Sequence, residues 1–456
     1  MGKRRDRLSC WSGETSPAHR GRIRVSTQLD QIVGKAKSDS RCRFTSLAHL
    51  ITHGFLKETW KQMNRRGASG IDGETTKEFE RDLDRRVQYL CERLKQGVYR
   101  APPVRRVDIP KGPGKVGTRP LGIPTVEDRL LQRAVARILE AVFEADFLEC
   151  SYGFRPGRNP HDALRAMREV IVTKKVGHLF EADIRGYFNH IQHDWLQKMV
   201  AHRIGDPVIL SLIGKWLKAG FMAGGVVTRT EEGSPQGGPI SPILANIYLH
   251  YVLDLWFEKT VKPRCKGEVY LTRFADDFVV NFQYQRDAER FQKGLKNRFT
   301  KFGLELAEEK TRLMRFGRFV RTDLEKAGGK PETFDFLGFK HVCGMDRGGK
   351  FALVRIPCVK SCRKFLAKSK EWLKRHMHWK RRDQQRHLIT MLRGFYQYFG
   401  LHHCKPKLDH IRREVQRQWR HSLRRRSQRH CLYWSYLNSR SWFELPYAVS
   451  TRHGMV

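Results

Sequence analysis

The chain has 456 residues, with 88 Lys and Arg against 47 Asp and Glu, a formal charge of +41 and a pI near 10.3. Apolar residues make up 40% and aromatics 11%, enough for a sizeable buried core, which excludes a disordered chain. So large a cationic excess repels itself unless a polyanion neutralises it, so the partner class it points to is nucleic acid.

The excess is uneven. Residues 1–40 carry net +5, residues 41–358 net +17, and residues 359–456 net +19 in less than a third of that middle length. Residues 1–44, rich in Arg, Ser, Thr and Gly, read as a flexible basic tail. A helical pattern runs from Leu47 to Arg66. A second passes through Phe79, Leu83, Val87, Leu90 and Leu94 and closes at Gly97, so 45–100 reads as a helical N-terminal extension. Residues 101–124 mix Pro, Gly and basic residues with short β-like runs, and 111–115 form a basic loop. Thr125 and Asp128 approximate a capping box before an amphipathic helix carrying Leu130, Leu131, Val135, Ile138, Leu139 and Val142.

His178 to Ile184 reads as a strand ending at Asp183. Gly233 to Pro239 reads as a turn, and Ser241-Pro242 starts a helix. Val269–Ala275 and Phe278–Phe282 are β-prone runs meeting at Asp276-Asp277, which predicts a hairpin with carboxylates at its tip. Phe334, Phe336 and Phe339 flank Gly338 in a further hairpin. After Pro357 the pattern is helical, basic and aromatic. The ten cysteines include no C-x-x-C pair and read as reduced thiols. No apolar run approaches 18 residues, so no membrane span is expected, and the basic start lacks the apolar stretch of a secretory signal.

Adjacent carboxylates at a hairpin tip repel each other and resist desolvation, and a divalent cation offsets both costs. Oxygen-only ligands suit Mg²⁺ rather than zinc. Asp183, Asp276 and Asp277, brought from two strands, would suit two ions about 3.5–4 Å apart, the arrangement used for in-line phosphoryl displacement. Taken alone, Asp276-Asp277 is also compatible with an ordinary turn.

The ordered blocks Arg119-Pro120-Leu121-Gly122-Ile123-Pro124, Tyr152-Gly153-Phe154-Arg155-Pro156-Gly157-Arg158, Ala182-Asp183-Ile184-Arg185-Gly186-Tyr187-Phe188, Ser234-Pro235-Gln236-Gly237 and Phe274-Ala275-Asp276-Asp277 closely resemble reverse transcriptases. More specifically, the chain resembles group II intron-encoded reverse transcriptase/maturases from about Leu47 to Pro446. The resemblance implies an α+β right-hand polymerase, with fingers and palm over 101–345 and an α-helical thumb/maturase domain over 346–456. Asp183, Asp276 and Asp277 would be the catalytic carboxylates holding two Mg²⁺ ions. Lys111 and Arg119 would grip the dNTP phosphates, as a point charge and a fork can. Phe188 would be the gate that rejects a ribose 2′-OH, although a core aromatic is a rival role. Gln236 would contact nucleotide and template, and Lys310 the triphosphate, with a solvated charge as the rival role there.

The basic and aromatic C-terminal run suits RNA backbone and unpaired bases, and Arg393, Tyr396, Tyr398, Arg424, Arg425 and Arg426 are its candidate RNA-binding residues. The implied function is RNA-dependent DNA polymerization with intron RNA binding, splicing and retromobility. The partners are intron RNA or template RNA, DNA primer and target DNA, and dNTPs, in the bacterial cytoplasm and at the nucleoid. Phe274 stands where the family has Tyr, losing one hydroxyl, and no HNH-type Cys/His cluster follows, so no endonuclease domain is expected. Two alternatives stay open: a non-catalytic RNA-binding splicing factor, and a domesticated relative in phage defence or CRISPR spacer acquisition.

Overall fold

A computed structural model describes residues 17–110, 117–223, 226–228, 233, 237–320, 331–346, 348–426 and 432–449. It is an α+β protein, and its two apolar cores are centred on a helical N-terminal half and a helical C-terminal region.

Helix α1 (Pro17–Ser38) opens the described chain. It departs from the expected tail: Ala36 and Phe44 are buried, and Arg203 donates to the Ala36 carbonyl at 3.2 Å. The reason lies in Leu29, Ile32 and Ala36, a helical stripe hidden among Arg and Ser, whose apolar side chains pack on the core. Helices α2 (His53–Gln62), α3 (Thr76–Arg81) and α4 (Leu83–Lys95) follow. Thr52 caps α2, so the first helix starts later than its apolar pattern, and a break at Asp82 splits the second pattern into α3 and α4. Gly97, with φ +72°, ends α4 as expected.

Strands β1 (Val104–Pro110) and β2 (Thr118–Ile123) pair antiparallel. Thr125 caps α5 (Val126–Phe143) by accepting from the Asp128 amide at 3.2 Å. The Asp128 carboxylate does not close a capping box; it takes the buried Tyr99 hydroxyl instead. Asn159 opens α6 (Pro160–Thr173) with a full capping box.

Next come β3 (His178–Ala182), α7 (His193–Ala201), α8 (Pro207–Lys218), β4 (Phe221–Ala223), β5 (Val226–Thr228) and α9 (Ser241–Leu249). The α9 helix runs on through π turns at His250–Asp254 and Phe257–Val261. Then follow β6 (Val269–Phe274), β7 (Asp277–Phe282), α10 (Gln285–Lys301) and β8 (Arg312–Arg315). The central sheet has the order β6-β7-β3-β8, all antiparallel, and β2-β1-β4-β5 form a second sheet.

Strands β9 (Thr333–Phe336), β10 (Phe339–Met345) and β11 (Phe351–Pro357) make a third sheet. Leu337 and Gly338 both have positive φ, which makes the β9–β10 turn a tight type I′ hairpin. Helices α11 (Val359–Arg375), α12 (Arg381–Phe399) and α13 (Lys405–Arg424) complete the C-terminal region. Among the described residues no helix is long and apolar enough to cross a membrane.

Candidate active site

Strand register brings the three aspartates to one end of the central sheet. Ala182 pairs with Phe278 across β3 and β7, and one further step sets Asp183 level with Asp277. Neighbouring strands lie about 4.8 Å apart, and directly opposed residues share a face. Phe274 pairs with Asp277, so Ala275 and Asp276 alone form the β6–β7 turn. The Asp183 carbonyl accepts from the Ala307 amide at 2.9 Å, which ties the end of β3 to the segment before β8.

Asp277 stands at the open rim of the hairpin, and desolvation first, then the charges of Asp276 and Glu181, push its carboxyl up to about 6, with Lys360 of α11 opposing. The Lys310 ammonium is seated on the Asp183 carboxylate, a monovalent cation at one of the acids. Hard oxygen donors of this kind fit Mg²⁺. Among the described residues no three potential ligands close on one point, so the convergence is one of strand register and charge.

The walls are built by close backbone approaches. Residues 150–152 run beside β6, where Arg273 N–H donates to the Cys150 carbonyl and Tyr152 N–H to the Arg273 carbonyl. That lays Gly153 against the turn so closely that a Cβ would sit 2.3 Å from the Ala275 nitrogen. Gly233 donates to the Ile191 carbonyl at 2.9 Å, and His193 Nε2 meets the Gly233 carbonyl at 2.6 Å. Gly237, with φ +121°, packs against the Gly122 carbonyl of β2. Gly233 is thus held by the 191–193 segment, and Gly237 by β2. Tyr187 is buried and donates to the Ala245 carbonyl at 2.5 Å, while Phe188 is half-buried with its ring 5.4 Å from that of Tyr187.

Of the predicted nucleotide-binding residues, Lys111 and Gln236 lie outside the described residues, and Arg119 is placed on β2 opposite Ile109. The C-terminal candidates divide. Arg393, Arg424 and Arg425 are exposed, and Arg426 is half-buried and donates to the Trp379 carbonyl at 2.8 Å. Tyr396 and Tyr398 make packing contacts. Tyr396 is 5% exposed and donates to the Pro446 carbonyl, and Tyr398 donates to the Leu337 carbonyl and stacks on Phe339. They occupy the inward stripe of α12 with Leu388, Leu392 and Phe399.

The aromatic surface is elsewhere, and sequence reasoning missed it. Trp379, Tyr433, Tyr436 and Tyr447 are exposed; Arg412 lies 3.8 Å from the Tyr447 ring and Arg440 4.5 Å from the Tyr436 ring. The run Leu432-Tyr433-Trp434-Ser435-Tyr436 was the available signal. Two further residues beside the carboxylates were also missed: Phe154, exposed with φ +57°, and Arg273, fully buried behind the turn.

Comparison with known proteins bears on this arrangement. Residues 109–341 match the family model described as reverse transcriptase (RNA-dependent DNA polymerase). Protein YkfC of Escherichia coli (strain K12) is 32% identical over 378 residues, covering 75% of this chain and 95% of that protein. The group II intron-encoded protein LtrA of Lactococcus lactis subsp. cremoris is 40% identical over 198 residues, 42% of this chain and 32% of LtrA's length. Nuclear intron maturase 1, mitochondrial, of Arabidopsis thaliana is 34% identical over 97 residues, 21% of this chain and 13% of that protein.

Proposed function

This chain belongs to the reverse transcriptase family and resembles its group II intron-encoded members, and on that premise we propose that it is an RNA-directed DNA polymerase that also binds its intron RNA and assists splicing and retromobility. The observation that carries the reading is the strand register that sets Asp183, Asp276 and Asp277 at one end of the central sheet. In this reading 101–345 forms fingers and palm, 346–456 a helical thumb and maturase region, and 45–100 an N-terminal extension.

Asp183, Asp276 and Asp277 would hold two Mg²⁺ ions, which supply positive charge for the attacking and leaving oxygens when bound. The protein's own residues supply position and selection. Lys111 and Arg119 bind the triphosphate of the incoming dNTP. Phe188 sits beside Tyr187, five residues after Asp183, and its ring excludes a ribose 2′-OH. Gln236 contacts the nucleotide and the template. Lys310, now paired with Asp183, turns to triphosphate charge when substrate enters. Intron RNA is held by Arg393, Arg424, Arg425 and Arg426, together with the exposed rings of Tyr433, Tyr436 and Tyr447.

Purified protein is expected to extend a DNA primer on an RNA template with Mg²⁺, and Asp276→Asn to abolish this. Extension that survives the change refutes the assigned site. Sequencing of RNA that copurifies tests the splicing role: one structured intron supports it, and mixed RNA refutes it.

A further inference from the structure

Arg273 is 0% exposed, at the last-but-one position of β6, one residue before the Phe274–Asp277 turn pair. A guanidinium has five N–H donors, and here each has an acceptor. Nε and Nη2 reach the Asp254 carboxylate at 2.8 and 2.6 Å; Nη2 also reaches Ser151 Oγ at 2.7 Å; Nη1 reaches Asn246 Oδ1 at 3.1 Å and the Ala275 carbonyl at 2.9 Å.

The Ala275 carbonyl belongs to the central peptide of the two-residue turn. Ala275 has φ +57° and Asp276 does not share a positive φ, the signature of a type II′ turn, which favours Gly at the first position. Rotating that central peptide converts type II′ towards type I′ and re-aims the Asp276 side chain. The Arg273 N–H holds the peptide in one orientation.

The two acceptors behind Arg273 come from one helix. Asn246 and Asp254 are eight residues apart, which at 3.6 residues per turn leaves them about 80° apart around a regular α-helix. The π turn at His250–Asp254 widens the helix and brings both to the same guanidinium. Such turns recur at functional sites. Asn246 Nδ2 also donates to the Gly153 carbonyl at 2.6 Å, tying the loop that presses on Ala275 into the same assembly. A fully buried Arg–Asp pair contributes little net stability against well-packed apolar residues, so its use lies in fixing geometry.

We propose that Arg273, aimed by Asp254 of the π-widened helix, is a positioning residue that locks the Ala275–Asp276 peptide so that the hairpin carboxylates receive metal ions in one geometry. The proposal rests on the reading of Asp276 and Asp277 as metal ligands.

The test compares Arg273→Lys, Asp254→Asn, Asp276→Asn and Arg203→Lys with the wild type. Arg203→Lys is the control, a buried arginine paired with Asp146 away from the turn. Mn²⁺ affinity of the nucleic-acid-free protein is read by electron paramagnetic resonance, folding by thermal melting, and primer extension over an Mg²⁺ titration. Lysine keeps the charge of Arg273 but cannot fork to all of its acceptors. Arg273→Lys is expected to weaken Mn²⁺ binding at least about five-fold and to lower kcat about 10²-fold, the cost of roughly 1 Å of misplacement, with KM for dNTP little changed. Asp254→Asn is expected to move both in the same direction, and Arg203→Lys to lower only the melting temperature.

Wild-type Mn²⁺ affinity in an Arg273→Lys or Asp254→Asn protein that melts above the assay temperature overturns the proposal. So does an Arg203→Lys protein whose Mn²⁺ affinity falls equally. Should Arg273→Lys not fold, Asp254→Asn decides. Failure of the metal-site reading is separate: there, Asp276→Asn itself keeps Mn²⁺ binding and extension.

Discussion

Gly153→Ala probes how tightly the hairpin is held. A Cβ at position 153 would lie 2.3 Å from the Ala275 nitrogen and 3.0 Å from both the Ala275 Cα and the Phe274 carbonyl carbon, all backbone atoms. Comfortable carbon contacts begin at about 3.5 Å, so the loop and the turn must separate by about 1 Å. Overpacking of this kind costs about 1–3 kcal/mol of stability. A 1 Å displacement of a catalytic group costs about 10²-fold in rate, or about 2.7 kcal/mol of barrier. Gly157→Ala in the same loop is the comparison, since its φ of +73° strains an alanine while nothing lies within 4 Å of the new Cβ. That change is expected to cost about 1 kcal/mol of stability with primer extension unaltered. Single-turnover extension and thermal melting on both proteins give the answer. A folded Gly153→Ala protein with the wild-type rate refutes the claim that this contact sets the turn.

Gly237→Ala places a Cβ 2.4 Å from the Gly122 carbonyl at φ +121°, and a fall in extension of at least ten-fold is expected, read as a rise in KM for dNTP. Tyr396→Phe removes the hydroxyl bond to the Pro446 carbonyl and should cost about 1 kcal/mol of stability while leaving RNA affinity in filter binding unchanged. Tyr447→Ala should do the opposite, weakening RNA binding by about 1–3 kcal/mol with little change in melting. His341 is fully buried, and burial first and the Arg355 charge second push it down to about 3. An unfolded imidazole takes a proton below about 6.5, so this group's contribution is lost as pH falls from 6.5 towards 3. His341→Phe, keeping the stack on Phe334, should reduce the drop in unfolding free energy between pH 6.5 and 5 by about 2 kcal/mol, measured in urea.

The legible parts of the sequence were those with local rules. Thr125 capping α5, Gly97 ending α4 and the β6–β7 hairpin follow from capping, glycine and alternation patterns. Long-range packing was not legible in the same way. The Leu29, Ile32 and Ala36 stripe lay in an Arg- and Ser-rich stretch whose composition argued for disorder, yet a core partner was waiting for it. Tyr396 and Tyr398 sit among basic residues in sequence, and only the helical phase relative to Pro446 and the β9–β10 turn decides that they point inward. Arg273 was silent because its meaning depends on a π turn, and hydrophobic periodicity does not announce one.

Backbone strain points to the same place as charge. Among the described residues, non-glycine positive φ occurs at Phe154, Ala275 and Leu337. Leu337 pays for a tight type I′ hairpin. The other two sit on either side of one contact: Ala275 in the turn between the carboxylates, and Phe154 next to the Gly153 backbone pressed against it. Such conformations cost about 1–3 kcal/mol each and persist only where surrounding structure over-determines them. Here that structure is the Arg273 fork, Asn246 reaching both Arg273 and Gly153, and the strand pairing of residues 150–152 with β6. In a chain with net charge +41, the arginine buried behind the turn is committed to Asp254, Ser151, Asn246 and the Ala275 carbonyl, while Asp277 stands exposed at the rim. The cation that serves structure is separated from the charge that chemistry must bring.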